Sequence, residues 1–140
     1  MATADGILCS YQVPLGTSIL PGKSLYVTGV AIDGIVTTVL VGNATPIIYV
    51  AGIAFGSTNV SLATTEAAAA KAPRRLAIGI QQYAAAAAVG VQGARLQDDY
   101  TCSPIVVQPG EFFQVVLRNI GAVTTTGAIT FSVAITGYFE

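Results

Sequence analysis

The chain has 140 residues, 53% of them hydrophobic, with only 6 basic and 7 acidic side chains, no histidine and a formal net charge of −1. A compact monomer of 14.2 kDa exposes roughly 6,800 Å², so even with every charge outward there is about one per 500 Å². Soluble monomers rarely show apolar patches beyond a few hundred Å²; the deficit therefore predicts interface area, and the balanced charge gives nucleic acid no basic stripe to bind.

The start, "MATADGILCS", has no basic region ahead of an apolar stretch, which predicts synthesis in the cytoplasm without a secretory signal. The sequence then runs through "SLYVTGVAI" (24–32), "GIVTTVLVG" (34–42) and "PIIYVAGIAFG" (46–56), three segments rich in Val, Ile, Thr and Tyr and bounded by Gly, Pro, Asn and Asp. That composition predicts strands. The best apolar run, Ile47 to Phe55, has nine residues, well short of the ~20 of a spanning helix, so no membrane is expected as a partner. Mean hydropathy of +0.68 is thus assigned to core and interfaces.

The middle, Ser61 to Tyr100, is unusual, and is expected to form an apolar, alanine-rich insertion of about 61–100 within one domain spanning 1–140. Thr64 or Thr65 could cap a short helix over Glu66 to Lys71, ending before Pro73. The second alanine run, Ala84 to Ala88, has no cap, and its small side chains predict extended chain lying close to another backbone. Arg74 and Arg75 follow Pro73 and precede the strand-like "LAIGI", which places them on alternate sides of an extended chain. Asp98 and Asp99 read as a solvated turn.

The last third gives "SPIVV" (103–107), "EFFQVVLRNI" (111–120) and "GAITFSVAITGYF" (127–139). In the last, Ile129, Phe131, Val133 and Ile135 share one face and Thr130, Ser132 and Thr136 the other. Pro21-Gly22 and Pro109-Gly110 each stand before a charged residue and an apolar strand, which predicts two type II turns. The expected fold is all-β: a single-domain antiparallel β-sandwich, jelly-roll-like.

Chemistry finds little footing. Without histidine there is no Ser-His-Asp or Cys-His arrangement. Cys9 and Cys102 are too few and too far apart for a disulfide framework or a zinc site and are expected as two buried or partly buried thiols. No glycine-rich loop cradles a phosphate, so no cofactor and no metal are expected. Glu66 with Asp98 or Asp99 is the only carboxylate pairing that could serve hydrolysis. With so few charges in the chain, Arg74 and Arg75 are expected to pair with Glu66, Asp98 or Asp99 at a subunit boundary. Tyr83 joins these as an interface candidate.

The blocks "LPGKSLYVTGVAI", "AFGSTNVSLATTEAAAAKAPRRLAIGIQQY", "SPIVVQPGEFF" and the closing "GYFE" resemble small structural proteins of tailed bacteriophages, in particular capsid decoration (cement) proteins. The resemblance covers most of the chain, and the middle block is its most specific part. It implies a non-enzymatic virion component at the capsid surface, a homotrimeric jelly roll that clamps the major capsid protein. A tail or head-fibre module that recognises a host-surface receptor or glycan is the alternative.

Overall fold

The computed structural model describes residues 5–41, 45–57, 74–120 and 126–140. Eight strands form: β1 (Asp5–Gln12), β2 (Leu25–Val41), β3 (Ile47–Gly56), β4 (Arg74–Tyr83), β5 (Leu96–Asp99), β6 (Ile105–Val107), β7 (Phe112–Asn119) and β8 (Thr126–Phe139). Every pairing between them is antiparallel. One sheet has the order β1-β7-β3-β4. In the other, β2 is central, with β8 along one side and β5 and β6 end to end along the other. The two pack face to face as an all-β sandwich.

The core follows from the alternation. Val27, Val30 and Ile32 of β2 meet Ala51 and Ile53 of β3 and Phe113, Val115 and Leu117 of β7 in one buried cluster. Val36, Leu40, Ile47, Tyr83 and Ala87 form a second at the far end of β2. Tyr49 joins them, its ring edge-on to Tyr83 at 6.3 Å and to Phe131 at 5.4 Å. Edge-to-face geometry at these separations is the favoured arrangement of aromatic quadrupoles.

Several sequence expectations need correction. The segments 24–32 and 34–42 are one strand, β2, of 17 residues. Asp33-Gly34 does not break it, because Asp33 faces outward while Gly34 is buried where another residue's side chain needs the room. Asp98 and Asp99 are the end of β5 rather than a turn, and the turn is built by the residues after them. Of the two Pro-Gly pairs, Gly110 has the positive φ of 85° and Glu111 N–H donates to the Gln108 carbonyl at 3.0 Å. Gly22 has no positive φ; a side chain there would collide with the Leu15 carbonyl, so close approach, not turn type, explains that glycine.

The alanine run Ala84 to Ala88 is not extended. Ala87 N–H donates to the Ala84 carbonyl and Val91 N–H to that of Ala88, both at 3.2 Å, making two successive turns. The run does lie against a backbone, as its small side chains imply. Leu40 N–H donates to the Ala87 carbonyl at 3.1 Å, and Val36 exchanges bonds of 2.9 Å with Gly90 and Val91. With β5 and β6 it continues one edge along β2. The proposed helix over Glu66 to Lys71 lies outside the described residues.

Candidate functional site

The first candidate lies at the corner where β1 and β8 end. Between β1 and β2 the chain makes a loop whose shape is fixed by its own backbone. Gly16 has φ 79° and bridges to Pro21, Thr17 N–H donates to the Leu20 carbonyl at 2.7 Å, and the Thr17 hydroxyl accepts from Leu20 N–H at 3.0 Å. The carboxyl-terminal residue is tied beside it, with Ser24 and Glu140 exchanging backbone bonds of 2.9 and 3.1 Å. The Tyr11 and Phe139 rings stand 6.4 Å apart. Together these elements enclose a groove of about 520 Å³, walled by Tyr11, Pro14, Leu20, Pro21 and Phe139, with Lys23 and Glu140 at its rim.

The loop displays unusual apolar surface: Leu15 is 72% exposed, Ile19 92% and Leu20 74%. Apolar side chains held outward by a hydrogen-bonded loop are already ordered, so they would cost little further ordering on binding. Sequence reasoning did not single out this loop. The available signal was three large aliphatic residues, Leu15, Ile19 and Leu20, lodged between Pro14 and Pro21-Gly22, where solvated turns are ordinarily polar.

The second candidate is a shallow groove of about 270 Å³ on the outer face of the second sheet, over Gly29, Ala31 and Ala134. Arg95, Gln97 and Asp99 line its rim. Asp99 accepts from the backbone N–H of Thr101 at 2.8 Å and from its hydroxyl, bonds that hold its carboxyl below the usual carboxylate value. Asp98 accepts from the Tyr100 hydroxyl at 2.9 Å. Burial, with that bond and the Asp98 charge, pushes the Tyr100 phenol up to about 12. Arg95 lies 3.8 Å from Asp33, both well exposed, a pair that holds geometry more than it stabilises. At the end of the same face Tyr26 and Tyr138 stack at 5.1 Å with planes 5° apart.

The described residues expected to act together stand on different strands. Glu66 lies outside the described residues. The backbones of Arg74 and Arg75 pair with Phe55 and Ala54 at the start of β4, in the first sheet, whereas Asp98 and Asp99 lie on β5 in the second. Tyr83 is 1% exposed; its hydroxyl donates to Gln81 Oε1 at 3.4 Å, so its ring is spent in this chain's own core. Cys9 is half-buried as expected, whereas Cys102 is exposed rather than buried because it sits in the turn after β5; both are free thiols, and burial pushes the Cys9 thiol up. Among the described residues no three potential ligands gather as a metal site. Comparison with protein-family models, curated proteins and solved structures finds no match.

Proposed function

We propose that the chain is a virion structural protein that works by association, a capsid decoration or cement protein that binds the lattice of a major capsid protein as a homo-oligomer. The observation that carries this reading is the apolar corner groove, with Leu15, Ile19 and Leu20 fixed outward beside it. Scarcity of charge supports it: 13 charged side chains share an accessible surface of 8022 Å², roughly one per 600 Å². A cement protein requires no chemistry. Because it binds only the assembled shell, it shifts the equilibrium against disassembly by RT ln(1 + [L]/Kd) per site, and a rigid apolar anchor suits that task. The jelly-roll arrangement expected from the phage resemblance belongs to the same proposal, as does a virion location after synthesis in the host cytoplasm.

A second reading is favoured by one observation, the stacked Tyr26 and Tyr138 on the same outer face as the second groove. An aromatic face beside hydrogen-bonding groups is what a glycan-recognising tail or head-fibre module needs. Antibody labelling of intact particles separates the two. Label spread over the head supports the decoration role, whereas label confined to the tail overturns it in favour of recognition.

A further inference from the structure

Among the described residues β8 pairs only with β2, and no strand pairs with its other side. This edge differs from the others. β1 begins on Asp5, β4 on Arg74-Arg75, β5 ends on Asp98-Asp99, and β6 has three residues. β8 runs for 14 residues, "TGAITFSVAITGYF", with no charge and no proline. Natural sheets blunt their edges with charge, proline or brevity, because an unprotected edge templates pairing with another chain. Alternation along β8 is also incomplete in its burial. Ile129, Phe131, Val133 and Ile135 point into the sandwich yet stay only half-buried, whereas Thr130, Ser132, Ala134 and Thr136 are exposed on the outer face.

We infer that the occupant of this edge is the β8 strand of a second copy, paired antiparallel about a two-fold axis, an inference that rests on the self-association part of the proposed function. The strand is suited to itself. With the axis at Val133, Phe131 faces Ile135 of the second copy and Ser132 faces its Ala134, so the apolar row runs on from one sandwich into the next. The alternation forbids a one-residue slip, which would set apolar residues against hydroxyls. Since β8 carries no charge, no like charges meet across the axis. About 48 Å of strand across a sandwich about 10 Å thick offers about 500 Å² per copy, and the total of about 1,000 Å² reaches the size of a specific interface. An isologous contact of this kind gives even-numbered assemblies, unlike the trimer implied by the phage resemblance.

The test is a charge swap on the full chain, followed by light scattering and analytical ultracentrifugation. Ser132→Lys with Ala134→Lys sets lysines against lysines about the axis, and Ser132→Glu with Ala134→Glu does the same with carboxylates. Each variant alone is expected to raise the dimer dissociation constant at least about 10-fold, and an equimolar mixture is expected to restore dimers of mixed composition. Variants as dimeric as the parent, a mixture that stays monomeric, or a parent that is a trimer would each overturn the β8 pairing while leaving self-association itself standing. A parent that is monomeric at about 100 µM, a concentration above the dissociation constant of even a weak specific dimer, would remove both.

Discussion

The hydroxyl of Tyr83 occupies the space that Gly34 leaves by having no side chain, and the Phe131 ring edge closes the same space at 2.9 Å from where a Cβ would stand. A glycine in mid-strand thus lets a tyrosine from the first sheet reach the backbone of the second. Gly34→Ala is expected to lower stability by about 1–3 kcal/mol, the cost of overpacking a filled core. In a double mutant with Tyr83→Phe part of that loss should return, because the colliding oxygen is gone; coupling below about 0.5 kcal/mol in urea denaturation would show that the two do not share the space.

Beside Tyr83, Gln81 is wholly buried, and its amide donates to the Ala94 carbonyl at 2.7 Å and lies 3.5 Å from that of Ile32. The side chain ties the first sheet to the chain running along β2. Gln81→Leu should cost about 1–3 kcal/mol, since it removes a wholly buried side chain's bond to the Ala94 carbonyl and strands the Tyr83 hydroxyl that donates to it. Faster amide exchange around residues 93–95 than around Val115 would show that the tie fails locally before the core opens.

Stability should fall at high pH. Burial raises the phenols of Tyr49 and Tyr83 above 10.0, and Tyr100 is pushed up to about 12. The unfolded chain therefore loses these protons first, so the contribution is complete below about pH 10 and is lost as pH rises through the folded values. The melting temperature is expected to decline from about pH 10 to about pH 12, with tyrosinate absorbance rising as unfolding occurs. Tyr100→Phe should flatten the upper part of that decline, and an unchanged profile would refute the assignment.

Much of this fold is legible in the residues themselves. Alternation in 127–139 places β8 and its two faces, and Pro109-Gly110 places the entry to β7. Legibility fails where a local signal has a distant cause. Asp33-Gly34 looks like a break because the reason for Gly34, the Tyr83 hydroxyl, lies 49 positions away in the sequence. β1 carries few β-branched residues, and it exists because β7 offers it seven paired positions, with one register shift between Ile7 and Cys9. Tyr83 is placed by the packing of two sheets, which no spacing in the sequence reports. The loop after β1 carried only an indirect signal, aliphatic residues among glycines and prolines, because the exposure of Ile19 and Leu20 is a property of the folded surface.

Thiol reactivity offers a direct check on the corner between β5 and β6. Cys102 is exposed in the turn after Tyr100, whereas Cys9 is half-buried against β7 and its ionisation is opposed by burial. One thiol per chain should react quickly with an aromatic disulfide reagent at neutral pH, and the second only slowly or after denaturant is added. Cys102→Ser should abolish the fast phase. Retention of a fast phase in that variant would mean that β1 opens readily from β7.

The corner groove makes the most direct prediction for function. Its walls are apolar, its volume of about 520 Å³ falls in the range of small-molecule sites, and the loop beside it is hydrogen-bonded to itself. An environment-sensitive apolar dye should therefore bind the native protein without unfolding it. Leu20→Ser removes a wall of the groove and Phe139→Ser another, while both positions are exposed enough that stability should change by less than about 1 kcal/mol. Most of the dye signal should be lost in the double variant, with the far-ultraviolet spectrum unchanged. If the signal persists, the dye reads a different surface and the groove assignment fails.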